Sequence, residues 1–304
     1  MEAFNYLIHG LSFQSFLACQ ALKNKIPGDP DVIIREGKVP VQLDQKLDSG
    51  VRFEANQNQF LLKVDGIASY LVKSGNEIIV EKDQDASDKE VCLFLFGSVM
   101  GALLLQRDYL PIHGSAIEHK NEAIIFSGAT GSGKSTLAAS FVARGFKFAA
   151  DDISAVKLDP STNTPILFPG LPQLKLWHDA LRKLHLQTNP KSRVRPRLEK
   201  YFCFDRENFQ VKPARLKQLY ILETHNKENF QLIELQGIEK FNAIKNNIYR
   251  RAFAKGLNKI KSHFHANSLI VKNVRVCRLR RPSKDFNPND LVNFVIEDFE
   301  KIKQ

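Results

Sequence analysis

The sequence predicts a mixed α/β protein, α+β overall, in which an α/β core follows a β-rich N-terminal part. Three observations support this fold class. Short β-branched and aromatic runs occupy the first 85 residues. A strand, a glycine-rich loop and a helix follow one another over residues 123–144. A further strand then ends directly at Asp151 and Asp152, and such alternation of strand and helix is typical of an α/β core.

The N-terminal strands are predicted from runs that Gly, Asn, Asp and Pro interrupt. Ser74–Asn76 has the composition of a hairpin turn. We therefore expect an antiparallel pair on either side of this turn. The runs that predict strands are Asp31–Arg35, Val51–Ala55, Phe60–Val64 and Glu77–Glu81.

A buried helix is predicted after these strands. Ser87 and Glu90 have the spacing of a capping box, in which each side chain accepts from the other residue's backbone. The apolar run Val91–Gln106 follows, so one helix should end near Arg107. This run is too short to span a bilayer. We expect a β-rich domain over residues 1–86 and a second domain over residues 87–304.

The core is predicted to begin with one strand over Leu110–Glu118 and a second over Ala123–Ser127. A helix should cover Leu137–Arg144 and end at Gly145, because glycine favours the position after a helix. Phe146–Ala150 then predicts the strand that leads to the two aspartates.

The remainder of the chain alternates in the same way. Gln218–Leu222 and Val274–Arg278 have the composition of strands. Gly237–Phe253 and Asp290–Lys301 have the apolar spacing of helices.

The segment from Gly128 to Thr136 reads GATGSGKST and fits the phosphate-binding pattern G-x-x-x-x-G-K-[ST]. Glycines let backbone N–H groups turn towards a polyphosphate, and the start of the next helix adds its positive dipole end. Lys134 would reach the β- and γ-phosphates, and the Ser135 hydroxyl would hold Mg²⁺. The alternative is a chance glycine-rich turn, which the flanking strand and helix argue against. We expect the phosphates of a nucleotide to be bound by Gly128, Ala129, Thr130, Gly131, Ser132, Gly133, Lys134, Ser135 and Thr136.

Three further side chains are candidates for catalysis. Asp151 and Asp152 follow a strand shortly after the loop, where one carboxylate could hold the metal and the other could accept a proton. Their alternative role is to cap a turn. His113 lies at the end of its own strand, and such a histidine is more often structural. A position beside Lys134 would favour a role in the site.

The net charge of +11 is concentrated in the second half of the chain. Residues 245–284 contain twelve Lys and Arg and no Asp or Glu. Such a segment suits an acidic partner, such as nucleotide phosphates or an acidic peptide. Arg193, Arg195, Arg197 and the cluster Arg278–Arg281 either bind such groups or are solvated. No nucleic-acid-binding motif is visible, so nucleic acid is not the expected partner.

The four cysteines are scattered without metal-binding spacing. The N-terminus lacks the basic and apolar regions of a signal peptide. Both observations predict a cytoplasmic protein with reduced thiols and no membrane span. A homo-oligomer is left open. The cysteines are Cys19, Cys92, Cys203 and Cys277.

Three motifs in this order resemble the HPr kinase/phosphorylase family: His113-Gly114, the GATGSGKST loop, and Ala143–Asp152. The likeness is strongest to the HPr-kinase-related proteins of peptide biosynthesis clusters, lasso-peptide kinases included. It is tight over residues 108–182. The resemblance implies a P-loop kinase core similar to that of phosphoenolpyruvate carboxykinase.

The same resemblance implies an ATP- and Mg²⁺-dependent kinase that transfers the γ-phosphoryl group to a serine-type hydroxyl of a peptide or small protein. Lys134, His113 and Asp151 would be catalytic, with Asp151 as base. Ser135 and Asp152 would hold Mg²⁺. The two aspartates could exchange these roles, which the sequence does not decide.

One departure from the family concerns the acceptor. Phe168–Gln173 contains no acidic residue, whereas HPr kinases carry a Glu-, Arg- and Gly-rich signature downstream of the aspartates. This argues against HPr as the acceptor and against reverse phosphorolysis. A kinase for free serine or a metabolite, a non-catalytic ATP-binding switch and a basic nucleic-acid-binding ATPase remain the alternatives.

Overall fold

The computed structural model describes residues 3–19, 28–184, 186–187, 189, 192–195, 198–204, 207–284 and 286–301. It is a mixed α/β protein with several sheets, which confirms the broad fold class. The division at residue 86 stays a prediction. In the part of the chain described, no helix is long and apolar enough to cross a membrane.

Residues 4–82 form an eight-stranded sheet in the order β1-β2-β3-β8-β7-β6-β5-β4. The Ser74–Asn76 turn joins β7 to β8 in an antiparallel hairpin, as predicted, with positive φ at Ser74 and Gly75. The strands are β1 Phe4–Ile8, β2 Leu11–Ser15, β3 Val32–Glu36, β4 Asp48–Ser49, β5 Phe53–Ala55, β6 Gln59–Val64, β7 Ala68–Lys73 and β8 Glu77–Lys82.

The apolar helix after this sheet is interrupted. Helix α1 (Asp88–Phe94) starts at the predicted capping box, and α2 (Met100–Gln106) ends where expected. The segment Leu95–Val99 between them is π-helical, with Gly97 at φ −107° and ψ −106°. The prediction of one continuous helix is therefore wrong at its centre, where a residue without Cβ lets the backbone leave the α region.

The remaining strands form a nine-stranded sheet and a separate three-stranded sheet of β15, β17 and β16. They are β9 Leu110–Ile112, β10 Gly114–His119, β11 Glu122–Gly128, β12 Lys147–Ala150, β13 Ser154–Leu158, β14 Pro165–Phe168, β15 Gln173–Trp177, β16 Arg193–Arg195, β17 Leu198–Phe204, β18 Ala214–His225, β19 Gln231–Glu234 and β20 Arg275–Pro282.

The predicted strand 110–118 is in fact two strands that separate at His113. Strand β9 pairs with β13, whereas β10 lies between β11 and β12 and is antiparallel to both. Strands β11 and β12 therefore run in the same direction. The carboxyl ends of β11 and β12 and the start of β10 consequently meet at one edge of the sheet.

Helices cover both faces of the nine-stranded sheet. Phe126 and Tyr220 pack in a cluster with α3 and α8, while Ile125 and Leu219 pack on the opposite face against α5 and α7. This alternation follows from the two-residue period of a strand. The helices are α3 Lys134–Val142, α4 His178–Lys183, α5 Gly237–Asn246, α6 Phe253–Gly256, α7 Ile260–Asn273 and α8 Pro288–Lys301.

The predicted helix Gly237–Phe253 is too long, since α5 ends at Asn246. The next residues pair with β9 instead. The Asn247 carbonyl accepts from the His113 N–H at 2.7 Å, and the Tyr249 N–H donates to the Pro111 carbonyl at 2.7 Å. Tertiary hydrogen bonding therefore replaces the last helical turns.

Candidate functional site

The loop between β11 and α3 depends on its glycines. Gly128, Gly131 and Gly133 have φ angles of 137°, 83° and 101°, all in the region that L side chains rarely adopt. A Cβ at Gly128 would lie 2.6 Å from the Leu222 carbonyl oxygen of the neighbouring strand. Only glycine fits this close approach.

The groups that a polyphosphate would bind are present in the loop. Among the described residues, no side chain caps the N-terminus of α3. The Ser132 hydroxyl is buried, and no described residue forms a hydrogen bond with it. The buried Lys134 donates to the carbonyl oxygens of Gly128 and Ala129 at 3.0 and 2.9 Å, and burial lowers its pKa. A helix N-terminus with a cation beside it favours an anion.

The Asp151 carboxylate is held by three donors. One oxygen, Oδ1, accepts from the hydroxyls of Ser115 at 2.6 Å and Ser135 at 2.8 Å. The other oxygen accepts from the Lys175 backbone N–H at 2.8 Å. Burial and the neighbouring charge of Asp152 raise the pKa of Asp151.

Asp152 has a different environment although it is the next residue. Its backbone has a positive φ of 65°, and its carboxylate forms an ion pair with Lys175 Nζ at 2.7 Å. Burial by itself would raise the pKa of Asp152, but the charges of Lys175 and Lys200 outweigh it and lower the pKa to about 2. Asp152 is therefore ionised at neutral pH.

His113 lies between the loop and the two aspartates. Its Nδ1 is 3.0 Å from the Asp152 carbonyl oxygen, which can only accept, so Nδ1 carries the proton. Burial and the charge of Lys134 lower the pKa of His113, which keeps the ring neutral at pH 7. Its Nε2 is then a hydrogen-bond acceptor.

Two cavities meet at this edge of the sheet. The first, the α3 cavity, has a volume of about 570 Å³ and contains the aromatic side chains of Trp177 and Phe286 beside α3. The second, the His113 cavity, has a volume of about 1120 Å³. The two cavities share Gly131 and Leu222 and are otherwise lined by different segments. The His113 cavity is lined by His113, residues 128–132, Asp152, residues 221–224 and residues 246–250.

Some of the predicted basic residues lie at the glycine-rich loop, and others lie away from it. Arg281 reaches the loop, where its Nη2 donates to the Ser132 carbonyl at 3.2 Å, and its guanidinium lies 4.8 Å from the Phe286 ring. Arg193 instead pairs with Glu199, and Arg195 lies over the Phe94 ring. Arg197 lies outside the described residues.

The structure brings the sequence-predicted site residues to one edge of the nine-stranded sheet: the loop 128–136 with Lys134 and Ser135, together with His113, Asp151 and Asp152. The sequence analysis did not single out three further residues that lie at this edge: Ser115, Lys175 and Tyr249. Ser115 could have been found, because it follows His113 by two residues. Nothing local in the sequence marks Lys175 or Tyr249.

The donor set fits Mg²⁺ as one part of a shared site. Among the described residues, no group of three His, Cys, Asp or Glu side chains could hold a metal ion by itself. The Ser135 hydroxyl and the Asp151 carboxylate supply adjacent oxygens. Mg²⁺ in nucleotide sites commonly takes one or two such protein ligands and completes its shell with phosphate oxygens and water.

No protein-family model and no curated protein sequence matches this chain. A solved structure, the Hpr(Ser) kinase/phosphatase from Coxiella burnetii, matches it with a TM-score of 0.34 and 11% sequence identity. The match covers 64% of this chain and 92% of that chain. This is a distant structural relationship only, so the chemistry of the site rests on its own residues.

Proposed function

We propose that this protein is a Mg²⁺-dependent kinase that transfers the γ-phosphoryl group of ATP to a serine-type hydroxyl of a peptide or small protein. One observation carries the proposal. Ser135 and Asp151 are joined at 2.8 Å at the start of α3, while the ionised Asp152 opens into the His113 cavity. The groups that we propose to bind phosphate, hold the metal and accept the proton therefore lie side by side, which supports phosphoryl transfer.

The nucleotide would use the loop and the α3 cavity. The backbone amides of the loop and Lys134 would hold the phosphates. Trp177, which is 43% exposed, and Phe286 would offer aromatic faces to the adenine. Ser135 and Asp151 would hold Mg²⁺, which neutralises charge on the phosphates when bound.

The two aspartates would then have the reverse of the roles that the family resemblance implies. Asp151 adjoins Ser135 and has three donors, which suits a metal ligand or its support. Asp152 lines the His113 cavity and is ionised, so it would accept the proton of the acceptor hydroxyl. The His113 Nε2 could accept a hydrogen bond from the same hydroxyl and orient it.

The positions of the two cavities support in-line transfer. They meet at Gly131 and Leu222, beside the loop. A nucleoside in the α3 cavity and an acceptor in the His113 cavity would approach the γ-phosphoryl group from different sides. Such positioning supplies much of the rate enhancement in phosphoryl transfer.

The proposal is tested by incubating the protein with ATP, Mg²⁺ and serine-containing peptides, with free serine as a separate arm, and measuring phosphate incorporation by mass. We expect transfer by the wild type. Lys134→Met and Asp152→Asn should each lose it by at least about a hundredfold, because they remove phosphate binding and the proton acceptor.

Lys272→Met is the matched control, since Lys272 is exposed at the end of α7 and lines neither cavity. Equal transfer by the wild type and Lys134→Met would contradict the proposal. Transfer to free serine but to no peptide would favour the small-molecule kinase instead.

A further inference from the structure

We propose that the His113 cavity selects an acidic peptide and that Arg250 binds a carboxylate next to the acceptor residue. That the peptide accepts a phosphoryl group rests on the proposed kinase function. The binding of an acidic peptide at Arg250 does not, and it can be measured without phosphoryl transfer.

The charges of the cavity wall point to Arg250. Glu223 and Asp152 are the acidic side chains that line the cavity, and each has its own cation. Glu223 pairs with Arg278 at 2.9 Å and with Arg280 at 3.0 Å, and Asp152 pairs with Lys175 at 2.7 Å.

Arg250 lacks such a neutralising partner. Among the described residues, no carboxylate lies within ion-pair distance of its guanidinium, which lies 5.7 Å from the Tyr249 ring. Among the described residues that line the cavity, Arg250 is therefore the charged side chain that no opposite charge neutralises. A guanidinium in this position suits a carboxylate, which it can bind through two hydrogen bonds.

The backbone around Arg250 is fixed to the strand that leads to His113. Asn247 and Tyr249 are hydrogen-bonded to His113 and Pro111, and Ile248 forms a bridge with Ile112. The Arg250 carbonyl accepts from the Phe253 N–H at 2.8 Å, and its φ is 50°. The Arg250 backbone is consequently fixed at the wall of the His113 cavity by hydrogen bonds rather than lying in a free loop.

Cavity size and the neighbouring charges favour a peptide over a small metabolite. The volume of about 1120 Å³ leaves room for a peptide segment beside the phosphates that residues 128–132 would bind. Lys245 and Arg251 are exposed on the segment next to the cavity and extend its positive charge. An extended peptide with carboxylates near its serine would fill the cavity and would neutralise these positive charges.

The test uses synthetic peptides in which alanine replaces the acceptor serine, flanked either by glutamates or by glutamines. Binding to the full chain is measured by fluorescence anisotropy. We expect the acidic peptide to bind the wild type about tenfold more tightly than the neutral one. Arg250→Gln should abolish this ratio, and Arg250→Lys should retain part of it. The exposed Lys261→Gln, an equal charge change on α7, should keep it in full.

Equal binding of both peptides to the wild type, or an unchanged ratio in Arg250→Gln, would overturn the proposal. So would an Arg250→Gln variant that loses affinity for a non-hydrolysable ATP analogue but not for the acidic peptide. If the acidic peptide binds about tenfold more tightly than the neutral one but the serine peptides are not phosphorylated, the carboxylate site at Arg250 is supported and the kinase function is refuted. Failure of the peptide-binding proposal can thus be distinguished from failure of the kinase proposal.

Discussion

The two adjacent aspartates show how strongly residue-level chemistry depends on surroundings. Asp151 accepts three hydrogen bonds from uncharged groups, and its pKa is raised by burial and by Asp152. Asp152 has turned into the left-handed region and meets the ammonium of Lys175. Two identical side chains, one residue apart, therefore have pKa values shifted in opposite directions, and only Asp152 lines the His113 cavity.

Lys175→Met tests the ion pair through stability. The variant should be less stable than the wild type at pH 7 by about 1–3 kcal/mol, because the half-buried carboxylate of Asp152 would lose its charged partner. The pKa of Asp152 is lowered from 3.8 to about 2 in the folded protein. Its stabilisation is thus present above pH 4 and is lost as the pH falls towards 2.

The measurement is urea unfolding at successively lower pH. The difference between Lys175→Met and the wild type should shrink as Asp152 becomes protonated. Lys272→Met, which removes an exposed lysine, should unfold like the wild type throughout. A difference that stays constant with pH would show that the ion pair is not its cause.

At the level of elements, the glycine loop joins strand to helix through backbone that other residues rarely adopt. The close approach of Gly128 to β18 fixes where the loop leaves the sheet. Gly131 has a positive φ as well, but a Cβ there would meet nothing within 4 Å. A substitution at Gly131 therefore introduces backbone strain alone, whereas a substitution at Gly128 introduces backbone strain and a steric clash.

Gly131→Ala should cost about 1 kcal/mol of stability, the penalty of the left-handed region. Gly128→Ala should cost about 2 kcal/mol or more, because its Cβ also pushes against the Leu222 carbonyl. It should also weaken nucleotide binding more than Gly131→Ala does. Urea unfolding and titration with an ATP analogue measure both effects. Equal losses for the two variants would argue against the steric role of Gly128.

Three predicted elements differ from the structure, and two of them do so because of tertiary pairing. The strand 110–118 breaks at His113, where the chain passes from pairing with β13 to pairing with β11 and β12. Helix 237–253 ends early because residues 247–249 bond to β9. The helix near Gly97 changes to a π-helical segment. Local patterns carry no signal for such pairings.

At the scale of the whole molecule, the N-terminal sheet and the core are packed together. Tyr70 and Leu95 share one buried cluster with Ile153 and Phe253 of the core. The turn between β1 and β2 also contacts the core, since the His9 N–H donates to the Pro169 carbonyl at 2.7 Å. The parts before and after residue 86 therefore bury apolar surface against each other.

This packing predicts one cooperative unfolding transition for the full chain. Trp177, the single tryptophan, reports on the core by fluorescence, while far-ultraviolet circular dichroism also reports on the N-terminal sheet. The two signals should change at the same urea concentration, because a shared core couples the parts. Separate midpoints would show that the two parts unfold independently.

The sequence by itself determined the local elements that contain the candidate site residues. The loop from Gly128 to Thr136 was predictable because its glycines and lysine have fixed spacing, and the positions of Asp151 and Asp152 followed from the apolar run before them. The β-rich beginning and the capping box at Ser87 were also predictable, since both depend on nearby residues.

Only the tertiary structure decided how these elements combine. It inserted β10 between β11 and β12, paired the Lys175 ammonium with Asp152 rather than with Asp151, and placed Arg250 in the wall of the His113 cavity. Each of these contacts joins residues far apart in the chain or across neighbouring strands. Their energies come from strand pairing, burial and charge in the folded molecule, which neither composition nor local spacing encodes.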